Sequence, residues 1–132
     1  MSRKIAQQWL NEVMSSVETS DLTGHINLIS KRVNLTGVPD FESIGYDAWA
    51  TQCKHEFDNK LLKRIQYHGL KVLASTDKNI MFKTIETVEG TDGTVNKQGI
   101  EVLLEKEEDG VWRVIQERIL PQEEVIHDKL GE

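Results

Sequence analysis

The chain of 132 residues contains one cysteine and two prolines. A single cysteine excludes a disulfide framework and any cysteine-rich zinc site. Cations are in the minority: 16 Lys and Arg stand against 22 Asp and Glu, a formal charge of −6. That balance argues against a nucleic-acid binder, which needs clustered Lys and Arg to neutralise phosphates. No apolar run approaches the roughly 20 residues of a membrane span. Residues Met1 to Leu10 carry charge and glutamine where a secretory signal needs an apolar stretch. A cytoplasmic protein without membrane contact is therefore expected. The chain has no phosphate-binding loop, dinucleotide fingerprint or nucleophile elbow. His25, His55, His68 and His127 show no metal-ligand spacing, so no metal and no cofactor are expected.

What is present is a foldable pattern. Hydrophobic residues make up 38% of the chain, enough at this length for one core without covalent staples. Ile5, Ala6, Trp9, Leu10, Val13 and Val17 recur at helical spacing and predict an amphipathic helix over Ser2 to Glu18. Ser20 and Asp21 can start a second, short helix through Asn27. Leu28 to Thr36 reads as a short strand ended by Gly37, Pro39 and Asp40. Phe41 to Asn59 is a second long helical segment, with Tyr46, Trp49, Ala50, Cys53 and Phe57 on one stripe. Four strands follow, over Leu61 to Ser75, Asn79 to Glu89, Val95 to Glu107 and Val111 to Leu120. Glu108-Asp109-Gly110 suits a three-residue hairpin loop with Gly110 in the left-handed region. Helices first and long antiparallel strands afterwards mean an α+β domain, with helices on one face of a curved sheet. Residues 1–121 form this single domain, and 122–132 are a charged tail able to form a short helix.

The order and spacing of four segments carry a resemblance. They are Asp21-Leu22, Leu28-Ile29-Ser30-Lys31-Arg32-Val33, Gly45-Tyr46-Asp47-Ala48-Trp49 and Glu108-Asp109-Gly110-Val111-Trp112-Arg113-Val114. Together they resemble the nuclear transport factor 2-like superfamily, also called SnoaL-like or cystatin-like, over roughly Ile5 to Pro121. The resemblance implies a cone: a bent, mostly antiparallel sheet wrapped around helices, with a pocket at the wide end. Its members include ketosteroid isomerase-like enzymes, dehydratases, polyketide cyclases and non-catalytic association domains, so the fold does not choose a function. The last strands look most like the association domain of calcium/calmodulin-dependent kinase II. The three pocket arginines of that family fall here at Glu86, Leu103 and Ile119, none of them basic. Lys31-Arg32 also departs from the acidic residues common there; Arg32 either stays solvated or pairs with a glutamate at the pocket rim.

Strand alternation sends neighbours to opposite faces. The resemblance turns Phe82, Thr84, Glu86, Glu101, Leu103, Ile115, Glu117 and Ile119 into the cone. The opposite set then lies outside, where Val102, Leu104, Trp112 and Val114 form an apolar patch suited to a homodimer. The hairpin register puts Glu101 opposite Glu117, with Glu86 beside Glu101. Three carboxylates in a dry pocket hold at least one proton between them, and such a group suits acid/base chemistry near neutral pH. The competing reading turns the glutamates to solvent, paired with Lys83, Lys106, Arg113 and Arg118.

His68 shares the inward parity if Gly69 introduces no bulge, and would assist the glutamates; otherwise it is an ordinary strand histidine. Tyr46 and Trp49, with Phe82, Leu103 and Ile119, are candidate contacts for an apolar ligand, or plain core. Cys53 reads as a buried structural thiol. Two functions follow. One is a small-molecule pocket protein acting as a cofactor-free isomerase, dehydratase or cyclase on an apolar, carbonyl-containing compound. The other is a non-catalytic homodimeric association or binding module. A pocket with converging, desolvated carboxyls favours the first; a filled cone favours the second.

Overall fold

A computed structural model describes residues 2–130. Four helices and five strands follow in the order α1 (Ser2–Glu18), α2 (Leu22–Ile26), β1 (Ile29–Thr36), α3 (Tyr46–Asp58), β2 (Leu62–Ser75), β3 (Asn79–Gly90), β4 (Val95–Lys106), β5 (Trp112–Ile119) and α4 (Gln122–His127). The amphipathic stripe of α1 is buried through Ala6, Trp9, Leu10, Val13 and Val17. Asp21 caps α2, its carboxylate accepting from Gly24 N at 3.0 Å. The third helix starts at Tyr46 rather than Phe41. Leu35 and Ile44 exchange backbone hydrogen bonds of 2.9 and 2.8 Å, which holds the preceding segment extended against β1. Among the described residues no helix is long and apolar enough to cross a membrane.

The strands form one sheet in the order β1-β5-β4-β3-β2. The last four are antiparallel neighbours, while β1 lies parallel to β5. Helices α1 to α3 cover the concave face. There Phe82 meets the edge of the Trp9 ring, 6.4 Å between centroids at 62°. Cross-strand partners share a face, so the register decides what lies inside. Phe82 opposes Val102, and Ile80 opposes Leu104. All four are in the core, with Phe82, Val102 and Leu104 fully buried.

This corrects the face assigned to β4. Glu101 and Leu103 point outward, while Val102, Leu104 and Val114, at 0% exposure, are interior. Trp112 packs against the same core. The outer apolar patch expected from these four residues is therefore not a surface. The cause in β5 is a bulge. Near the hairpin Leu104 pairs with Val114, as the turn predicts, but Leu103 pairs with Gln116, leaving Ile115 as the extra residue. One added residue puts Val114 and Glu117 on the same face. Glu117 then opposes Val102, and Glu101 opposes Arg118. At the hairpin tip the expected geometry holds, with Gly110 at φ +81°.

The outer face carries α4. Val125 and Leu130 join Ile85 and Leu120 in a second small core. An ionic lattice borders it: Arg118 reaches Glu101 at 3.1 Å and Glu124 at 2.8 Å, and Lys83 reaches Glu124 at 3.1 Å and Asp128 at 2.5 Å. Gly99 lets the helix sit close, since a methyl group there would lie 2.5 Å from Val125 Cγ2. Gly99→Ala is expected to lower unfolding stability by ~1–3 kcal/mol through overpacking. Val125→Ala in the same chain should recover part of that loss. Urea denaturation of the single and double variants checks it, and strictly additive effects would disprove the contact.

Candidate functional site

A cavity of about 540 Å³ lies between the helices and the concave face of the sheet. The helix side contributes Trp9, His25, Trp49, Cys53 and Glu56; the sheet side contributes Tyr67, Glu86, Gln98, Glu117 and Ile119. Apolar side chains thus surround a few polar groups, the usual constitution of a small-molecule site.

Two of the three predicted glutamates meet here. Glu86 of β3 opposes Tyr67 of β2 and Gln98 of β4. All three turn inward, and the register converts directly into hydrogen bonds. Tyr67 Oη donates to Glu86 Oε2 at 2.9 Å, and Gln98 Nε2 donates to Glu86 Oε1 at 3.3 Å. Glu117 is 7% exposed and takes no hydrogen bond from the described residues. No side-chain nitrogen or oxygen among them is both buried and without a partner, so the Glu117 carboxyl opens onto accessible space, which here is the cavity. Glu101, the third of the expected row, lies on the other side of the sheet against Arg118. The competing reading, a glutamate paired with a cation, holds for Glu101 and not for Glu86 or Glu117.

The environments of the two inner carboxyls separate their chemistry. Burial raises the proton affinity of Glu117 well above the ordinary carboxylate range, and the charge of Glu86 adds to it. Burial also raises Glu86, but the hydrogen bonds from Tyr67 and Gln98 oppose the shift. The first proton of the pair therefore leaves chiefly from Glu86, and its charge then holds the second on Glu117. Tyr67 is pushed well above its usual value, by burial first and then by the two glutamates, so it remains a phenol and a donor. Glu86 is thus the more readily ionised acceptor, and Glu117 the carboxyl that holds its proton longer, in one apolar enclosure.

The other predicted residues divide. Trp49 and Ile119 line the cavity. Phe82 is core beneath Trp9 and does not line it. Leu103 lies on the outer face, and Tyr46 borders a separate surface groove with Asn27, Lys31 and Arg113. Register shifts between His68 and Lys71 accompany Gly69, and His68 opposes the outward Ile85. It lines another groove with Arg3, Lys71 and Asp128, away from the carboxyl pair. Arg32 pairs with Glu105 and Glu107, but its side chain is largely exposed and outside this cavity, so it does not reach the pocket rim. Burial first, then Glu56, pushes the Cys53 thiol up to about 12, which keeps it an inert thiol. Among the described residues no group of His, Cys, Asp and Glu side chains could hold a metal ion.

Sequence reasoning missed Tyr67, Gln98 and His25. The signal for Gln98 was present: counting back from the turn at Gly90 to Thr94, whose backbones pair at 2.8 Å, places it opposite Glu86. Tyr67 was hidden by the irregular register of β2, and His25 by its place on a helix of five residues.

No family model matches the chain, and no curated protein matches it in sequence. Solved structures do. A protein of unknown function from Shewanella oneidensis, described as nuclear transport factor 2-like, superposes with a TM-score of 0.75 at 13% identity, covering 90% of this chain and 98% of its own. ActVI-ORFA from Streptomyces coelicolor gives 0.70 at 10% identity, covering 92% and 97%. A candidate scytalone dehydratase from Novosphingobium aromaticivorans gives 0.71 at 9% identity, covering 89% and 81%. The chain has the nuclear transport factor 2-like fold. At these identities the likeness establishes architecture alone.

In this nuclear transport factor 2-like cone the buried acid has a thermodynamic signature. A glutamate with a raised folded-state pKa binds more protons folded than unfolded, so its contribution to stability falls as pH rises above about 4.3, its unfolded value. Glu117→Gln removes that penalty. The variant is expected to be more stable than the parent at neutral pH, with the gap narrowing toward about pH 4. Urea midpoints across that range measure it; a gap that does not change with pH would rule out a protonated Glu117.

Proposed function

We propose that this protein is a small-molecule pocket protein that performs cofactor-free acid/base chemistry on an apolar carbonyl compound, in the manner of an isomerase, dehydratase or cyclase. The observation that carries this reading is the division of labour between two carboxyls in one cavity. Glu86, ionised and oriented by Tyr67 and Gln98, is the base. Glu117, kept protonated by burial and by the charge of Glu86, is the donor. A C–H bond beside a carbonyl is broken as Glu86 takes the proton, and the electron pair moves onto the carbonyl oxygen. A hydrogen bond from the Glu117 acid stabilises that oxygen as its charge develops. The proton on Glu86 returns to carbon at the same or a neighbouring position, which restores both carboxyls.

The alternative, a non-catalytic association module, fits less well. It expects a filled cone with its glutamates neutralised by cations, whereas Glu86 and Glu117 border open volume without a cation partner among the described residues. The candidate dehydratase among the structural neighbours supports acid/base chemistry on this architecture.

Deuterium exchange at the α-carbon of β-tetralone, an apolar ring ketone, tests the proposal without knowledge of the physiological substrate. Exchange followed by NMR is expected to exceed the buffer rate. Its pH profile should be bell-shaped, since it needs Glu86 ionised and Glu117 protonated. Glu86→Gln should lower the rate by roughly 10²–10⁴-fold. Absence of exchange above buffer for this ketone and a small set of apolar homologues would contradict the proposal.

A further inference from the structure

The helix wall of the cavity holds a polar group that the carboxyl chemistry does not use. His25 of α2 is 9% exposed, and its ring lies 5.0 Å from that of Phe57 at a tilt of 44°. Its Nδ1 lies 2.8 Å from Ser16 Oγ, and Ser16 Oγ lies 2.6 Å from the carbonyl oxygen of Val13. A hydroxyl has one proton to give. Two oxygens approach to 2.6 Å with that proton between them, so Ser16 donates to Val13 O. It must then accept from His25. The ring proton is therefore on Nδ1, and Nε2 carries the lone pair.

Nε2 has no partner among the described residues. Since no side-chain nitrogen or oxygen there is both buried and unpartnered, Nε2 opens onto accessible space, and the cavity is the space that His25 borders. Burial pushes the imidazole down to about 4, so near neutral pH the lone pair is not lost to protonation. Ser16 fixes the tautomer, and Phe57 limits rotation of the ring.

We infer that His25 Nε2 is a hydrogen-bond acceptor on the helix wall, and that the cavity selects a ligand presenting a hydroxyl or N–H group there, across from the carboxyls of the sheet wall. The inference rests on the same cavity as the acid/base reading and narrows its ligand: an apolar body, an acceptor oxygen for the Glu117 acid, and a donor for His25. Ser16 is a positioning residue, acting only through the tautomer.

Imidazole 15N NMR of the full chain tests this, with β-naphthol as the donor-bearing probe and β-methylnaphthalene as its matched control. In the free protein Nδ1 is expected to be protonated and Nε2 unprotonated. β-Naphthol should shift the Nε2 resonance and bind about tenfold more tightly than the control, the scale of one hydrogen bond. That preference should largely vanish in His25→Phe. Ser16→Ala should give a mixture of tautomers, a readout that loss of packing alone would not produce. A proton on Nε2 in the free protein overturns the inference. So does an Nε2 resonance unmoved by β-naphthol while the carboxyl carbons of Glu86 or Glu117 shift, an outcome that leaves the acid/base site standing without His25. If neither compound moves any of the three groups, the cavity is not a ligand site and both readings fail.

Discussion

A single extra residue in β5 decides what this protein holds at its centre. Without the bulge at Ile115, the register set at the hairpin would continue and Glu117 would face Glu101, two like charges in direct opposition. With it, Glu101 faces Arg118, and Glu117 turns alone into the cone beside Val102. The outer face thereby gains an ion pair that extends through Glu124 and Lys83 to the C-terminal helix. The inner face gains a carboxyl with no cation partner among the described residues. Bulges are a common means of re-aiming one side chain at the cost of local ladder pairing, and here the re-aimed side chain is the one with the most perturbed chemistry.

The second constraint is the asymmetry of donors around the two inner carboxyls. Burying an unpaired ionised carboxylate is so unfavourable that the group takes up a proton instead. Glu117 follows this rule. Glu86 sits in the same enclosure, but Tyr67 and Gln98 replace part of the water it has lost. Two chemically identical side chains thus differ in proton affinity, because one has two donors and the other has none among the described residues. Strand register produces this difference, for Tyr67 and Gln98 are the direct partners of Glu86 on either side. The fold and the chemistry are therefore one consequence of pairing.

Much of this was legible in the residues. The apolar stripe of α1, the turn residues and the alternation of β2 to β5 specify helices on one face of an antiparallel sheet, and the elements lie close to where their patterns put them. Alternation combined with the resemblance turned Glu86 and Glu117 inward, but for Glu117 it did so through a pairing with Glu101 that the structure lacks; the bulge supplies the inward turn instead. What failed was parity across strands. Val102, Leu104 and Val114 are as apolar as the outer set is mixed, and composition on both faces of β4 left the choice open. Direct pairing of Phe82 with Val102 closes it. The bulge itself has no sequence marker: Ile115 is β-branched like Val114 before it, and no glycine lies beside it. The inward His25 was illegible for a different reason, since its tautomer depends on a carbonyl of α1 that only the folded chain brings near.

Near neutral pH the two inner carboxyls are expected to differ in protonation. Carbon-13 NMR of the glutamate side chains, assigned at Glu86, Glu117 and Glu101 and followed with pH, measures it directly. Glu117 is expected to titrate last and well above the ordinary value of about 4.3, with Glu86 ionising before it. Ordinary titration of both inner carboxyls, indistinguishable from that of exposed glutamates, would contradict it.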